Sequence, residues 1–395
     1  MRPHKSDRAF TRRFFLEGSV VASAAMAFGV GTEPMLAWAG RPKPRPGSIL
    51  LNSNENPLGP CDEAKQAALS MVPQGGRYQT ELTDKFEQTF ARMEGLKPEY
   101  VRSFAGSSVP LQGSVRAFTS PTRSYVAADP GYEAGIFAAQ NLGARVVNVK
   151  LTETYAHDVK GMLAAAPDAG LFYICVPNNP TGTITSHSDI EYLVEKKPKD
   201  AIVVVDEAYI HFSDATSAID LVKADKDVLV LRTFSKLYGM AGLRCGLGIG
   251  RPDLLERLDH SAGWNFMPVT AVAAATASLN HTTLVPDRKK INADIRSKTF
   301  EWLDRNGYAY IPSQTNCFLV DGKRPGKETI DAMSRQNVAI GRVWPVMPSW
   351  VRITVGTQAE MEQFQAAFQK VMSGRTTAGY RPARVAKHRS DVFLT

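Results

Sequence analysis

The 395-residue chain contains few cysteines and lacks both an internal repeat and a long run of apolar residues. Its four cysteines, Cys61, Cys175, Cys245 and Cys317, are far apart and form no Cys-x-x-Cys pair. This spacing indicates neither a zinc site nor a disulfide framework, so no metal is expected. Cys175 and Cys317 lie in apolar runs and are expected to be small core residues.

The body of the chain has no excess of positive charge. The formal net charge is +8, but residues 1–46 contain eight Lys or Arg and three acids, and residues 374–395 contain five and one. The rest of the chain is therefore near −1. A basic binding face is unsupported, and no nucleic-acid partner is expected. The tail at 374–395 is basic, lacks apolar periodicity and is expected to be flexible.

The first 39 residues resemble a twin-arginine export signal. Arg12 and Arg13 precede a moderately apolar run at residues 20–30, and Ala37-Trp38-Ala39 supplies a small-x-small cleavage site. The resemblance implies the twin-arginine translocation machinery as a partner, cleavage after Ala39, and a periplasmic or otherwise exported location. The alternatives are a short membrane anchor or a chance pair of arginines. The apolar run is too short and too rich in Ala and Gly to span a bilayer securely, so no stable membrane insertion is expected.

Length and patterning indicate the fold class. A chain of 395 residues with 44% hydrophobic content can bury a large core, which predicts one large domain and a smaller one. Helical and strand patterns alternate through the middle, which favours a mostly parallel sheet covered by helices. Further on, the pattern predicts a long charged helix over about 287–305, one strand over 308–320 and an amphipathic closing helix over 360–372.

Lys236 is the chemical centre of the stretch LRTFSKLYGMAGLRCG at 231–246. An apolar run precedes it and a glycine-rich turn follows, which indicates a lysine carried inward rather than an ordinary surface lysine. Burial lowers a lysine pKa, and the neutral amine is the form that condenses with an aldehyde. Thr233 and Ser235 could hold a phosphate, and Arg244 could add a bidentate charge-assisted pair. Together these groups describe a pocket for pyridoxal phosphate.

Further motifs stand in the order that such a pocket needs: LNSNENPLG at 51–59, AGSS at 105–108, PNNPTG at 177–182, VVDEAY at 204–209 and VRITVGT at 351–357. With them the chain resembles the fold-type I pyridoxal-phosphate aminotransferases, closest to the histidinol-phosphate aminotransferase group, over roughly 49–369. The resemblance implies an α/β fold with a large domain at 61–285, built on a mostly parallel sheet of the seven-stranded type. Residues 286–373 would form a small C-terminal α+β domain. Residues 40–60 would be a linker and an N-terminal active-site segment, and this segment would pack with the small domain.

Two groups of residues indicate cofactor contacts directly. Gly106, Ser107 and Ser108 lie between a predicted strand and a predicted helix, where free N–H groups and the helix dipole favour a phosphate. Asp206 ends the apolar strand at 201–205, and a buried carboxylate there needs a partner. The pyridine nitrogen of the cofactor supplies one, and Asp206 would keep it protonated.

The resemblance implies the remaining cofactor contacts. Asn179 and Tyr209 would bond the phenolic oxygen, and Tyr132 would stack on the pyridine ring. Tyr78 would reach the cofactor phosphate of the other subunit, which implies a homodimer with shared active sites. The chain departs from the family here, because Gln79 stands where proline usually follows this tyrosine.

Substrate contacts are expected from the C-terminal part. Arg352 lies in an otherwise apolar strand, which is unfavourable unless an anion meets it. In the resembling family the matching arginine clamps the substrate α-carboxylate, and Asn179 is expected beside it. Arg342 is a second candidate near the substrate, with a structural salt bridge as an equal alternative. Trp344 nearby, and Val109 where the family generally carries an acid, are departures that would reshape the pocket.

The resemblance implies transamination of an amino acid or amine-bearing substrate with a 2-oxo acid, through an internal aldimine at Lys236. Lys236, Asp206 and Tyr209 would be the catalytic residues. Decarboxylases, C–S lyases and racemases share the first steps on this fold, and a non-catalytic cofactor-binding sensor is a remote alternative. The export signal predicts that histidinol phosphate is not the physiological substrate, because histidine biosynthesis draws on cytoplasmic intermediates.

Overall fold

The computed structural model describes residues 44–263 and 266–374. The predicted export signal, its cleavage site after Ala39 and the tail beyond Gly374 lie outside the described residues. Among the helices in those ranges, none is both long enough and apolar enough to cross a membrane.

Helices and strands alternate along most of the described ranges. The strands are β1 (Ile49–Leu51), β2 (Val101–Phe104), β3 (Ser124–Asp129), β4 (Val146–Lys150), β5 (Ala169–Cys175), β6 (Ile202–Asp206), β7 (Val228–Thr233), β8 (Gly246–Ile249), β9 (Tyr310–Ile311), β10 (Cys317–Asp321), β11 (Val338–Ile340) and β12 (Trp350–Thr354). The α-helices are α1 (Asp62–Met71), α2 (Thr80–Glu94), α3 (Ser108–Phe118), α4 (Ala134–Leu142), α5 (Val159–Ala165), α6 (His187–Lys196), α7 (Ile219–Lys223), α8 (Pro252–Ala262), α9 (Val269–Asn280), α10 (Leu284–Arg305), α11 (Gly326–Arg335) and α12 (Gln358–Ser373).

Within the described residues, seven strands form one sheet in the order β2-β8-β7-β6-β5-β3-β4. Strand β8 runs antiparallel to its two neighbours, and the other pairs are parallel. Val203 and Val205 of β6 pack in one hydrophobic core, whereas Ile202 and Val204 pack in another. A strand that is apolar at every position is buried on both faces, because successive side chains point to opposite sides. The predicted α/β fold with a mostly parallel sheet is confirmed.

The carboxyl ends of the central strands are level with one another. Cys175 of β5 lies opposite Asp206 of β6, and Asp206 lies opposite Leu231 of β7. The loops that leave these ends carry Asn179 and the segment 234–236, which directly follows Thr233 at the end of β7. Residues that are far apart in sequence therefore meet at one edge of the sheet, where ligands of open α/β sheets bind.

The C-terminal part has a core of its own. Strands β12, β10 and β9 form an antiparallel sheet in that order, and β1 pairs in parallel with β11. Strand β1 thereby attaches the N-terminal segment to this part of the chain. Helix α12 begins with a capping box formed by Thr357 and Glu360. Its Phe364 and Phe368 pack into this core.

The prediction of one strand over 308–320 is wrong. The chain forms β9 and β10, which pair antiparallel, and turns back between them. The Ser313 hydroxyl accepts from the Thr315 N–H at 2.9 Å, and the Thr315 hydroxyl accepts from the Cys317 N–H at 3.1 Å. The two hydroxyls thus bind backbone N–H groups that would otherwise pair with a neighbouring strand. Such local hydrogen bonds favour a turn over a continuous strand.

The four cysteines are buried and free. Cys175 and Cys317 are the end residues of β5 and β10, and both pack in the interior as predicted.

Candidate active site

Lys236 follows β7 and directs its amine toward the N-terminal segment. Its Nζ donates to the Ser53 carbonyl at 3.4 Å and lies 5.6 Å from the centroid of the Tyr209 ring. Burial first, and the positive charge of Arg352 second, lower the pKa of Lys236 from 10.5 to about 8. A substantial fraction of the amine is therefore neutral near pH 8, in the form that attacks a carbonyl.

Arg244 and Gly106 form one side of a small cradle at the sheet edge. Gly106 has a φ of 88°, and a Cβ at this position would collide with the Arg244 guanidinium. Only glycine fits there without strain. The Arg244 Nη1 donates to Ser235 Oγ at 3.3 Å, and Nη2 donates to the Ala105 carbonyl at 3.3 Å.

The start of helix α3 forms the other side of this cradle. Ser107 is the N-cap residue and Ser108 the first helical residue, and no side chain caps the helix. Uncapped N–H groups at a helix start bind anions. The Thr233 hydroxyl donates to Ser235 Oγ at 2.9 Å, the same oxygen that accepts from Arg244. Backbone amides, two hydroxyls and a guanidinium suit a phosphate group.

Asp206 is the last residue of β6 and is only 3% exposed. Its Oδ2 accepts from the Tyr173 hydroxyl at 2.8 Å, and its Oδ1 accepts from the Ala208 N–H at 3.1 Å. Burial raises the pKa of Asp206 from 3.8 to about 6, although both hydrogen bonds act in the opposite direction. A cationic ligand beside this carboxylate would offset the cost of its burial.

Tyr209 joins the sheet edge to the N-terminal segment. Its hydroxyl accepts from Asn54 Nδ2 at 2.9 Å, and the Asn54 N–H donates to Thr354 Oγ1 at 2.9 Å. Burial raises the pKa of Tyr209 well above its usual value, so its hydroxyl stays protonated and able to donate. Asn54 thus connects Tyr209 at the sheet edge with Thr354 of β12.

Arg352 is buried, and no carboxylate among the described residues forms a salt bridge with it. Its Nη1 donates to Asn179 Oδ1 at 2.9 Å, and its Nη2 donates to the Asn52 carbonyl at 2.9 Å. Its Nε is buried and has no hydrogen-bond partner among the described residues. Since a buried charge is costly without a counter-ion, Arg352 is suited to binding an anionic ligand.

Arg342 is paired. It forms a salt bridge with Glu133, and both side chains are mostly buried. The Arg342 and Arg352 guanidinium carbons lie 4.8 and 5.7 Å from the Trp344 ring centroid. The Trp344 indole donates to the Gly131 carbonyl at 2.9 Å. Of the two alternatives for Arg342, the structure contains the salt bridge.

Two predicted aromatic residues lie in different environments. Tyr132 follows β3 and packs against the core, where burial raises its pKa. Tyr78 is 70% exposed, and its ring stacks on Phe266 with centroids 4.4 Å apart. In the part of the chain that is described, no hydrogen bond or ring contact links Tyr78 to the other predicted site residues. The neighbouring Gln79 has a φ of 46°, which proline cannot adopt, so the departure at this position matches its backbone.

The arrangement fits pyridoxal phosphate. An acid with a raised pKa and an amine with a lowered pKa, at about 6 and about 8, occur together at one sheet edge, a combination typical of catalytic sites. A phosphate cradle that a Cβ would fill lies at the same edge. The cradle of Gly106, Ser107, Ser108, Thr233, Ser235 and Arg244 would hold the phosphate, with Asp206 at the pyridine nitrogen, Asn179 and Tyr209 at the phenolic oxygen, Tyr132 at the ring and Lys236 at the aldehyde.

Sequence reasoning missed Asn54, Tyr173 and Glu133 as individual site residues. Asn54 lies within the motif LNSNENPLG at 51–59, from which the sequence alone did not single out this residue. Tyr173 stands two residues before Cys175, which pairs with Asp206, so strand alternation places it on the same face as the carboxylate. That signal becomes readable once the register of β5 against β6 is known. The partner of Glu133 lies 209 residues away, and no local pattern indicates it.

Comparisons with known proteins agree with this geometry. The profile of the family described as "Aminotransferase class I and II" matches residues 46–368. A histidinol-phosphate aminotransferase of Symbiobacterium thermophilum is 33% identical over 327 residues, covering 82% of this chain and 90% of the relative. An aromatic amino acid aminotransferase of Cutibacterium acnes is 30% identical over 331 residues, covering 83% and 93%. The crystal structure of histidinol-phosphate aminotransferase from Sinorhizobium meliloti in complex with pyridoxal-5′-phosphate has a TM-score of 0.75 at 26% identity, covering 87% of this chain and 95% of that one.

Proposed function

This chain belongs to the aminotransferase class I and II family, and on that premise we propose that it is an exported homodimer whose amino donor carries a carboxylate rather than a phosphate. It is an aminotransferase that uses pyridoxal phosphate to transfer an amino group to a 2-oxo acid.

Lys236 is proposed to act as the base of this reaction. Bound pyridoxal phosphate supplies an electron sink that acidifies the hydrogen on the substrate Cα. With a pKa of about 8, the Lys236 amine is suited to accept this proton and to return it. Asp206 would hold a proton on the pyridine nitrogen, which requires the carboxylate in its ionised form.

Arg352 is proposed to bind the substrate carboxylate. Its hydrogen-bond partners Asn179 and the Asn52 carbonyl are neutral, and its Nε has no partner within the described residues, so the guanidinium retains its charge and a free donor. A planar guanidinium binds a carboxylate through two parallel hydrogen bonds.

The salt bridge between Glu133 and Arg342 is the observation that supports a donor without phosphate. Histidinol phosphate bears a phosphate ester where an amino acid bears its carboxylate. A phosphate monoester carries about −1.5 to −2 charges at neutral pH, and a carboxylate carries one. Because Glu133 neutralises Arg342, the pair contributes no net charge, and Arg352 leaves about one positive charge for the ligand. That charge matches a carboxylate.

Exposed aromatic rings support a homodimer. Tyr78 is 70% exposed and Phe266 is 48% exposed, and the two rings form one stacked pair at the surface. Exposed apolar surface of this kind marks sites of protein association. A second subunit that covers this pair could place Tyr78 at the partner's phosphate cradle.

Donor kinetics test the substrate proposal. Steady-state rates with 2-oxoglutarate would be measured for histidinol phosphate and for a panel of amino acids, which includes aromatic ones because one relative is named for them. The wild-type enzyme is expected to prefer an amino acid by kcat/KM. Glu133→Gln is the matched variant, and it should raise kcat/KM for histidinol phosphate relative to that for the best amino acid. The reverse preference in the wild type, with no effect of the variant, would contradict the proposal.

Location and assembly require separate measurements. The full chain and its Arg12→Lys, Arg13→Lys variant would be expressed in a bacterium with the twin-arginine machinery, followed by fractionation and light scattering. Only the wild-type chain should reach the periplasm, and the mature protein should have the mass of a dimer. Uncleaved protein in the cytoplasm that rescues a histidine auxotroph would show that the arginine pair arose by chance. A fully active monomer would refute shared active sites.

A further inference from the structure

We propose that Tyr173 is a positioning residue that keeps Asp206 ionised and oriented for the pyridine nitrogen of the cofactor. The inference rests on the assignment of Asp206 as the partner of that nitrogen. Tyr173 lies on β5 and Asp206 ends the adjacent strand β6. The Tyr173 hydroxyl donates to Asp206 Oδ2 at 2.8 Å, and both residues are almost fully buried.

Strand geometry fixes this contact. Cys175 lies opposite Asp206, and Tyr173 lies opposite Val204, so Tyr173 and Asp206 extend from the same face of the sheet. The Tyr173 ring packs within the core on this face. Its hydroxyl therefore reaches the carboxylate from a ring that is already held by packing.

The hydrogen bond matters because the carboxylate has few donors. Among the described residues, Tyr173 and the Ala208 N–H are the donors recorded for Asp206, one to each oxygen. A donor to the ionised form favours ionisation, whereas burial opposes it. Loss of the tyrosine donor leaves Oδ2 buried without a partner, so protonation of Asp206 becomes easier. A protonated Asp206 has no negative charge to balance a protonated pyridine nitrogen, so it no longer stabilises that form of the cofactor.

Several other charged and titratable groups surround Asp206. Glu207 disfavours its ionisation, but Glu207 is itself paired with Arg232 at 2.6 Å. Lys236 favours ionisation. The negative charge of Asp206 helps to raise the pKa of four neutral neighbours, which are Tyr125, Tyr132, Tyr173 and Cys175.

Tyr125 provides a matched control. It lies on β3, is completely buried, and its ring centroid is 6.3 Å from that of Tyr173. Its hydroxyl has no hydrogen-bond partner within the described residues. Tyr125→Phe and Tyr173→Phe therefore remove the same atom at the same depth, but only Tyr173→Phe removes a donor to Asp206.

The experiment compares three variants, Tyr173→Phe, Tyr125→Phe and Asp206→Asn, with the wild type. Carboxyl ¹³C NMR of the apoenzyme follows the ionisation of Asp206, with its signal assigned from the Asp206→Asn spectrum. Fluorescence titration gives the affinity for pyridoxal phosphate, and ¹⁵N NMR of the loaded enzyme reports protonation of the pyridine nitrogen.

In Tyr173→Phe, the apparent pKa of Asp206 should rise by about one unit, since a hydrogen bond to a charged group is worth at least that much. At pH 7, a rise of this pKa from about 6 to about 7 lowers the ionised fraction of Asp206 from about nine tenths to about one half. Cofactor affinity should therefore fall by about twofold, and the ¹⁵N signal should move toward the unprotonated position. Tyr125→Phe should match the wild type in all three measurements.

Equal behaviour of the two phenylalanine variants would overturn the role of Tyr173. An Asp206→Asn protein that binds the cofactor as tightly as the wild type, with an unchanged ¹⁵N signal, would instead overturn the assignment of Asp206 on which the inference rests. Because the carboxyl titration is made on the apoenzyme, it tests the contact between Tyr173 and Asp206 whether or not that assignment holds.

Discussion

Asp206 should destabilise the apoenzyme above about pH 6. The perturbation is Asp206→Asn, which mimics the protonated acid: the amide can still accept from the Ala208 N–H and can donate to the Tyr173 oxygen. The variant therefore removes the ionisation of this buried group and retains its size and hydrogen bonds. We expect the apo form of the variant to be more stable than the wild type above about pH 6.

The magnitude follows from the pKa of Asp206, which burial raises from 3.8 to about 6. A group whose pKa is raised by folding contributes its full stability below the unfolded value, and that stability is lost as the pH rises through the folded value. The wild type should thus lose stability relative to the variant between about pH 4 and pH 6. At 1.36 kcal/mol for each pKa unit, the loss is about 3 kcal/mol.

Urea unfolding of the two cofactor-free proteins, followed by far-UV circular dichroism from pH 4 to pH 8, measures this difference. Asp84→Asn, at an exposed aspartate of α2, controls for the loss of one charge. Adding saturating pyridoxal phosphate should reverse the order, because the cofactor stabilises the form that binds it more tightly. A difference between Asp206→Asn and the wild type that stays constant from pH 4 to pH 8 would refute the reasoning.

Four further substitutions test other parts of the structure. Lys236→Ala should abolish the absorbance of the lysine-bound cofactor and nearly all turnover while circular dichroism stays unchanged; undiminished transamination would exclude its central role. Arg352→Lys should raise KM for amino acids by about tenfold or more, because the ammonium lacks the planar fork, and an unchanged KM would place the carboxylate elsewhere. Glu207→Gln removes the carboxylate 2.6 Å from the buried Arg232, leaves the guanidinium with only the part-exposed Glu94 at 3.9 Å, and should cost about 3 kcal/mol in chemical denaturation; a loss below about 1 kcal/mol would count against that pairing. Mixing Tyr78→Ala subunits with Lys236→Ala subunits should restore part of the activity through hybrid dimers, and no recovery would argue against shared sites.

The central sheet and its edge were predictable from the sequence for a physical reason. Strands that are buried on both faces are continuous apolar runs in the sequence. A polar residue that directly follows such a run, such as Asp206, therefore marks the end of the strand and the edge of the sheet. The strand over 308–320 failed because Ser313 and Thr315 bond the backbone locally, which an apolar count does not detect.

Contacts between distant loops could not be predicted in this way. Arg342 could bind substrate or form a salt bridge, and the residues next to it in the sequence do not distinguish between these two roles. The choice is made by Glu133, which is brought to it by the three-dimensional path of the chain. Tyr173 is intermediate, because its place on the Asp206 face follows from strand alternation once the register of β5 and β6 is known.

Strand β1 pairs with β11, although Ile49 and Val338 lie near opposite ends of the described chain. Synthesis proceeds from the N-terminus, so the segment that carries Asn54 emerges long before β11 and Thr354 exist to hold it. The residues of the seven-stranded sheet and Lys236 are all made earlier. A product truncated before β11 would therefore contain the lysine but could not seat Asn54 against Tyr209. Under the proposed export route, which carries folded proteins, the chain would be ready to leave the cell's interior only after the residues from β11 to Thr354 have been synthesised and have folded.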